Sequence, residues 1–284
     1  MSVADFYTEK LIDVEFKLED QKDPIRLSGY RVEMTMQNAG GRSGSSLDLA
    51  IYNINMDLAQ RVAGVNGWST KNGRQDWVSI LAGDQNHKDV IFQGNAYEAF
   101  VDFNSMPDVP LRLRANAAYY YRVKPAAPNS YKGSVDAVEM IKKIANSIGY
   151  TFVNNGVTPV MLTDMYVFGG AIDQICEIAD AARIGLTIHN KEIQISPNGE
   201  IQTDIITEIS PMTGMLGYPT VTSRGVLINH VFLPTLKRQS MIKIVTDNKS
   251  AAGVLRVTAI EHNLASKVQG GPWVTSIMAI QPQR

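Results

Sequence analysis

The sequence predicts a β-rich α+β fold, with strands at both ends of the chain and a small α/β segment between them. Short apolar runs with a period of two, typical of half-buried strands, fill 47–115 and return in 226–280. Two runs with helical spacing, each ended by a glycine, separate these stretches. A chain of 284 residues is long enough for two or three cores. We therefore expect a first β domain at 1–118, an inserted α/β domain at 119–200 and a second β domain at 201–284.

The first β domain is predicted from successive strand-like runs. Early strands are expected over 11–18 and 25–36, and four further runs read LDLAIYNI, WVSILAGD, VIFQGNAYEAFVDF and VPLRLRANAA. The alternation that includes Val78 and Ile80 predicts that these side chains are buried. The Gly/Ser-rich stretch 38–46 leads into a strand, so a hairpin loop is favoured over a phosphate-binding loop, which would need a following helix.

Helices are predicted where apolar residues recur at helical spacing beside start and stop signals. A short helix is expected from Met56 to Gly64. A linker with two prolines is expected at 122–133, followed by a helix with Ser134 as its N-cap and Gly149 as its end.

The rest of the insert and the last block are predicted to be mainly strands around one more helix. A strand, YTFVN, precedes a helix over about 170–184, and the hairpin LTIHNKEIQIS follows with its turn near Asn190 and Lys191. The last block supplies the strand-like runs VLINHVFLP, SMIKIVTD, GVLRVTAIEHNL and GPWVTSIMAI.

Composition disfavours several functional classes. The net charge is -1 and no basic block occurs, whereas proteins that bind nucleic acids through the backbone concentrate positive charge. No secretory signal is visible, and no apolar run approaches the roughly 20 residues that span a bilayer, so we expect folding in a reducing cytoplasm. Cys176 is the single cysteine and lies on the apolar side of a predicted helix, where a buried structural thiol is favoured over a nucleophile.

The histidines are scattered and give no metal-binding spacing such as HExxH. His189 falls at a predicted hairpin turn and is expected to be solvated. His230 and His262 follow apolar strand residues and are expected to be hydrogen-bonded structural imidazoles.

Two suitably spaced acids could hydrolyse a glycan. Glu98 with Asp102, and Asp173 with Glu177, have ordinary strand or helix spacing and no surrounding signature. We therefore predict no catalytic, cofactor-binding or metal-binding residues.

Three consecutive tyrosines, Tyr119 to Tyr121, precede Arg122. Such a cluster could stack on bases or sugars, but in a nearly neutral chain we favour a contact between domains or subunits.

Several segments of the sequence resemble those of a known protein family. SLDLAIYNINMDLAQRV, followed by WVSILAGDQNHKDVIFQGNAYEAFVDFNSMPDVPLRLRA, resembles the first domain of central baseplate hub proteins of contractile-tailed bacteriophages. In that family a strand ending in YN leads to a short helix, and a strand ending in AGD precedes a VIFQG-like strand. The end of the chain, VLRVTAIEHNLASKVQGGPWVTSIMAI, is similar to the closing strand pair of the family. The resemblance follows the chain in order over most of its length.

This resemblance implies two tail-tube-like β-barrel domains, at 1–118 and 201–284, with the α/β domain inserted at 119–200. It implies a structural virion protein without enzymatic activity or cofactors. Three copies would form a ring that joins the six-fold tail tube to the three-fold tail spike and encloses the DNA channel, through which DNA passes without specific binding. The implied partners are the other copies of the homotrimer, the tail tube protein, the tail spike, baseplate wedge or adaptor proteins and, as a further candidate, the tape measure protein. The implied location is the virion tail baseplate, after assembly in the host cytoplasm, with no integral membrane segment.

The sequence is also compatible with other functions. The hub portion of a type VI secretion spike and the distal protein of a non-contractile tail share the implied architecture. A tail-associated cell-wall hydrolase would need an acid pair in a cleft or a histidine-bound metal. A carbohydrate-binding β module is suggested only by the three tyrosines.

Overall fold

The computed structural model describes residues 8–19, 22–40, 43–63, 76–197 and 206–282. These residues contain strands in three sheets and a small number of helices. In chain order the strands are β1 Leu11–Lys17, β2 Ile25–Leu27, β3 Val32–Asn38, β4 Ser45–Ile51, β5 Trp77–Gly83, β6 Lys88–Val101, β7 Leu111–Asn116, β8 Asn129–Asp136, β9 Thr151–Asn154, β10 Met161–Val167, β11 Gly185–His189, β12 Glu192–Ser196, β13 Thr207–Ile209, β14 Met215–Thr222, β15 Gly225–Val231, β16 Met241–Ile244, β17 Gly253–Ser266 and β18 Trp273–Ile280. The α-helices are α1 Met56–Ala63, α2 Tyr119–Val123, α3 Ala137–Ser147 and α4 Ala171–Ala181.

The largest sheet has 13 strands and combines both ends of the chain. Its main path is β14-β15-β18-β17-β3-β4-β7-β6-β5-β1-β2, and β16 and β13 extend it beside β17. β3 and β17 pair antiparallel, from Val32 opposite Ser266 to Asn38 opposite Ile260, so the two ends of the chain share one sheet. Within the described residues no strand pair closes this sheet into a barrel. The predicted β-rich class is thus confirmed. The two closed barrels are not seen among the described residues, whose strand pairing forms an open sheet.

The two ends of the sheet repeat one strand order. We call β3 to β7 the first β unit and β14 to β18 the second β unit. The first is ordered β3-β4-β7-β6-β5 and the second β14-β15-β18-β17-β16, with every neighbouring pair antiparallel. In each unit the fourth strand in this order, β6 or β17, has 14 residues and changes neighbours along its length. The same topology therefore occurs twice, although no sequence repeat of this length was evident.

Apolar side chains form three buried clusters. One lies under β1 to β7 and α1 and includes Ile80, which is fully buried as predicted. A second lies between α3, α4 and the small sheets β8-β10 and β9-β12-β11, and we use the word insert below only for this stretch from β8 to β12. A third fills the second β unit and includes Ile242 and Ile277. α4 buries Cys176, which agrees with the structural thiol predicted there.

Several predicted boundaries were wrong. The strand expected at 25–36 is two strands, because Gly29 has a φ of +76° between them, a value that β-strand backbone does not adopt. The predicted end of α1 at Gly64 lies outside the described residues and stays a prediction. The linker expected at 122–133 contains the end of α2 and the start of β8.

The N-cap of α3 is Asp136 instead of Ser134. Asp136 Oδ1 accepts a hydrogen bond from the amide of Val138, 3.1 Å away, whereas Ser134 still belongs to β8 and pairs with Thr163 of β10. The sequence did not predict β8, β10, β13 or β14. β8 and β10 pair with each other, so the residues expected to form a linker and a helix start form a strand instead.

Candidate functional site

One surface of the large sheet is polar, and we call it the polar face. It is formed by residues that alternate with the buried ones in neighbouring strands of both β units. Its charged members are Glu33, Asp48, Glu98, Arg112, Arg114 and Glu261, and its neutral members include Thr35, Gln37 and Asn263. Four carboxylates therefore lie beside two guanidinium groups, and a third guanidinium, that of Arg31 just before β3, is 2.9 Å from Glu33. Acidic groups still outnumber basic ones on this face.

Both arginines of the polar face are paired with acids. Arg114 Nε is 3.0 Å from Asp48 Oδ1, and its Nη1 is 2.9 Å from Glu98 Oε2. These contacts raise the pKa of Arg114, and the hydrogen bond to Asp48 has the largest effect. Arg112 Nε lies 2.8 Å from Asp102 Oδ2, and this hydrogen bond is the main cause of a lowered pKa of Asp102. The arginines are thus engaged by carboxylates and add little attraction for a polyanion.

The hairpin of β11 and β12, which we call the docking hairpin, lies beside the junction between β3 and β17, with a cavity between Thr187, Asn38 and His262. Its turn residue Asn190 accepts a hydrogen bond from the Gln93 amide at 2.8 Å and donates to the Val90 carbonyl at 3.2 Å. The ammonium group of Lys191 lies 4.0 Å from the ring centroid of Trp77. The insert is therefore fastened to β5 and β6 of the first β unit.

The docking hairpin also contacts the second β unit through Arg238. Arg238 Nη1 donates to Thr187 Oγ1 at 2.9 Å, and Nε donates to the Thr258 carbonyl at 2.8 Å. Its guanidinium lies against Gly40, where an added Cβ would be 2.1 Å from Arg238 Cζ. One side chain thus connects the docking hairpin, β17 and the loop after β3, and burial lowers its pKa.

Two histidines lie at this junction. The sequence suggested a solvated His189, but this histidine is buried. Its Nδ1 is 2.8 Å from Ser45 Oγ, and burial, with a smaller effect of Lys237, lowers its pKa to about 4. His262 Nδ1 is 2.9 Å from Thr275 Oγ1, and burial followed by the charge of His189 lowers its pKa to about 4 as well. His230 Nδ1 lies 2.6 Å from the Val231 carbonyl. The structural role predicted for His230 and His262 agrees with these contacts.

The three tyrosines form α2 at the boundary between the large sheet and the insert. The Tyr120 amide donates to Asn95 Oδ1 of β6 at 3.3 Å, and the Tyr121 ring packs edge-on against Tyr150. The Tyr150 hydroxyl donates to the Ala117 carbonyl, and burial raises its pKa. The cluster lies at a contact within the chain, as favoured above.

The acid pairs named from the sequence do not form shared sites. Glu98 and Asp102 contact different arginines of β7, and Asp173 lies 3.6 Å from Arg122. Among the residues that the structure describes, no group of three or more histidine, cysteine or acidic side chains is arranged to hold a metal ion. No helix in this part of the chain has the length and hydropathy needed to cross a membrane.

The free edges of the sheet expose apolar side chains. β14, at one end, has Tyr218 74% exposed and also exposes Leu216 and Val221. Away from the edges, the short 3-10 helix after β6, Phe103–Ser105, exposes Phe103, and Met106 directly after it is also exposed. By contrast, Met34 and Leu264, which face each other across the β3–β17 junction, are 3% and 0% exposed. The polar face and these free edges are the surfaces on which a function of this fold would depend.

Comparison with protein families decides the assignment. The model of the family described as "Baseplate hub gp41" matches residues 30–273. The chain belongs to this baseplate hub family. It is accordingly a structural component of a bacteriophage tail baseplate, as the resemblance had implied.

Solved structures show the same fold for the hub. A tail protein from Neisseria meningitidis MC58 has a TM-score of 0.64 at 9% identity, with 94% of this chain and 96% of that chain covered. The 43 kDa tail protein of prophage MuSo2 from Shewanella oneidensis has a TM-score of 0.62 at 6% identity, with 95% and 98% covered. The E. coli c3393 protein, a type VI secretion component described as similar to T4 tail proteins gp27 and gp5, has a TM-score of 0.61 at 10% identity, with 95% and 77% covered. Comparison with curated proteins gives no match.

Proposed function

We propose that the hub is a homotrimeric ring that joins the six-fold tail tube to the three-fold tail spike and encloses the DNA channel. In this proposal residues 1–118 and 201–284 are two tail-tube-like β-barrel domains, open in the single chain, and 119–200 is an inserted α/β domain that braces them. Each copy then supplies two similar units, so three copies present six to the tube. The observation that carries the proposal is the repeated strand order of the two β units within one continuous sheet.

The polar face supports a channel role. A sheet that is apolar on one side and acidic on the other can pack on its apolar side while the acidic side borders water. The carboxylates of this face outnumber the arginines and form ion pairs with them. The remaining negative charge would repel DNA phosphates, so the DNA would pass without specific binding. We further propose that the hub has no enzymatic activity, and that its partners are the tail tube, the tail spike, wedge or adaptor proteins and the tape measure protein, assembled in the host cytoplasm.

Native mass spectrometry combined with electron microscopy tests this proposal. The purified chain, alone and mixed with the tail tube and spike proteins of the same virion, should give a species of three chains, about 94 kDa from three times 31.3 kDa. Images should show six similar arcs around a central pore. A dimer, a ring of another copy number, or a trimer without a pore would refute it. Clearing of peptidoglycan in a zymogram, or retention of duplex DNA at about 50 mM salt, would refute the non-enzymatic and non-binding parts.

A further inference from the structure

A cavity of about 180 Å³ lies where the docking hairpin meets the two β units. The docking hairpin contributes Thr187 and His189 to its wall, β3 contributes Asn38 and β17 contributes His262. Asn38 and His262 lie on the buried side of their strands, whereas Gln37 of the polar face lies on the other side. The cavity is therefore separated from the polar face by the sheet, and it has room for several water molecules or a small ion.

The cations at this cavity lack a counter-ion. Lys237 and Arg238 line it, and neither forms an ion pair with a residue that the structure describes. Arg238 uses Nη1 and Nε for the neutral partners Thr187 and Thr258, which leaves its Nη2 available. Burial and then the charge of Arg256 lower the pKa of Arg238, and Arg256 is itself 7% exposed, with Nε and Nη1 unpaired among the described residues. Buried guanidinium groups are normally paired with acids, so negative charge is missing here.

The two histidines of the cavity are placed as hydrogen-bond donors. The Thr275 hydroxyl oxygen accepts from the Leu233 amide at 2.9 Å, and in the described part of the chain the only acceptor near its hydrogen is His262 Nδ1. We therefore assign Nδ1 as the acceptor of this pair, which leaves the proton of the neutral ring on Nε2. Ser45 Oγ contacts His189 Nδ1 in the same way. Each ring thus has an Nε2 proton that it can donate to a ligand.

The cavity also contains acceptors. Asn38 is 6% exposed, and its Oδ1 has no hydrogen-bond partner among the residues described. Glu192, which pairs with His189 in the docking hairpin, lines the cavity as well and accepts a hydrogen bond from Gln194 Nε2. A ligand that only accepts hydrogen bonds would leave the Asn38 oxygen without a donor. Phosphate at neutral pH still carries a proton, so it can accept from the cations and the histidines and donate to one of these oxygens.

From these contacts we propose that the cavity binds a free inorganic phosphate ion, which accepts hydrogen bonds from Arg238 and Lys237 and donates its own proton to Asn38 or Glu192. The bound ion supplies the missing negative charge and links the docking hairpin to the second β unit, which Arg238 already contacts at Thr258. This inference goes beyond the proposed ring and does not depend on it.

The same groups disfavour other ions. His189, His262 and Glu192 are of types that bind zinc, but within the described ranges they are not arranged as a metal site, and Lys237 and Arg238 would repel a metal ion. Sulfate has the shape of phosphate but carries no proton at neutral pH, so it would leave a buried acceptor unpaired. A site that pairs this proton therefore discriminates phosphate from sulfate.

Calorimetric titration of the full chain with sodium phosphate, sodium sulfate and methyl phosphate at pH 7 and equal ionic strength tests the site. We expect one phosphate per chain and an affinity for sulfate at least tenfold weaker. Lys237→Gln removes one exposed cation and should weaken phosphate binding about fivefold. Asn38→Asp keeps the shape of the side chain but adds a carboxylate, and should abolish binding. Lys249→Gln is the matched control, because Lys249 is an exposed lysine of the second β unit that does not line the cavity, and should bind phosphate as the wild type does.

Histidine NMR signals locate the ion, since the chain has only four histidines. Phosphate should shift the ring signals of His189 and His262, because an anion offsets the neighbouring positive charges that, after burial, lower their pKa values. The signals of His87, an exposed residue outside the cavity, should not move. Absence of binding heat, equal affinity for sulfate, or shifts confined to His87 would overturn the proposal. Unchanged phosphate affinity in Lys237→Gln would overturn it even if Asn38→Asp fails to fold, and tighter binding of methyl phosphate would overturn the free ion as the ligand.

Discussion

The first and second β units have the same strand at their edge, but only one of these strands has a partner within the chain. β3 pairs with β17, and the docking hairpin lies beside this junction, where Thr187 accepts a hydrogen bond from Arg238 and a cavity lies between Thr187, Asn38 and His262. β14 has no such neighbour in the described part of the chain and exposes Tyr218. The two edges therefore differ in what covers them and not in their topology. Burial at one edge contributes to folding, whereas exposure at the other is available for assembly.

Paired substitutions at the two edges should give the largest contrast. Leu264→Asp places a carboxylate in the fully buried junction and should lower the free energy of unfolding by about 4 kcal/mol or more. Tyr218→Asp changes an exposed side chain and should lower it by less than about 0.5 kcal/mol. Urea unfolding of the two monomeric variants measures both values. Similar losses in the two variants would mean that the edges do not differ as described.

The second-largest effect is expected from acid, which should destabilise the junction between β3 and β17. The pKa values of His189 and His262 are about 4 in the folded chain, below the ordinary value of 6.5. The unfolded chain therefore binds more protons between these values, so the stabilisation present above pH 6.5 is lost as the pH falls toward 4. One such histidine contributes roughly 3 kcal/mol over this range.

The histidine effect is measured as a difference between variants, because carboxylates also titrate in acid. The free energy of unfolding of His262→Gln should fall less steeply between pH 7 and pH 4.5 than that of the wild type. His87→Gln is the control, since His87 is exposed and paired with Asp89 at the surface. Parallel curves for the wild type and His262→Gln would contradict a buried neutral His262.

Sequence patterns predicted the parts of the fold that depend on local spacing. Alternation located β17 and β18, and the turn near Asn190 followed from a residue type that tolerates positive φ. The φ angles of Asn190 and Lys191 are 47° and 59°. β14 was missed because Gly217 and Pro219 interrupt its alternation, and both faces of the strand are largely exposed.

The candidate surfaces were less predictable because they depend on contacts between distant residues. His189 reads as a turn residue, but Ser45 and Lys237, far away in the sequence, surround it. Arg238 has no local signature, since Thr187, Thr258 and Gly40 reach it only in the folded chain. The repeated topology was implied only by the family resemblance, because the equivalent strands share alternation but no sequence repeat.

A smaller loss is expected when Arg238 is removed. Arg238→Ala deletes the hydrogen bonds to Thr187 and Thr258 and should lower the free energy of unfolding by about 2 kcal/mol. Thr187→Val removes only the hydroxyl, so a double-mutant cycle isolates the contact with the docking hairpin. We expect a coupling energy of about 1 kcal/mol in that cycle. Strict additivity of the two variants would show that Arg238 does not fasten the hairpin to the second unit.

The smallest effect should come from the turn of the docking hairpin. Asn190 fills the bulge of β6 at Ile91, where it meets both the Gln93 amide and the Val90 carbonyl, and it does so at a positive φ. Asn190→Gly tolerates this φ but loses both hydrogen bonds and should cost about 1 kcal/mol. Asn190→Ala adds backbone strain and should cost roughly 1 kcal/mol more. Hydrogen exchange locates the effect: the Gln93 amide should exchange faster in both variants, while amides of β14 should not change. Faster exchange in β14 would show that the hairpin also supports the free edge, so that the two edges of the hub are not independent.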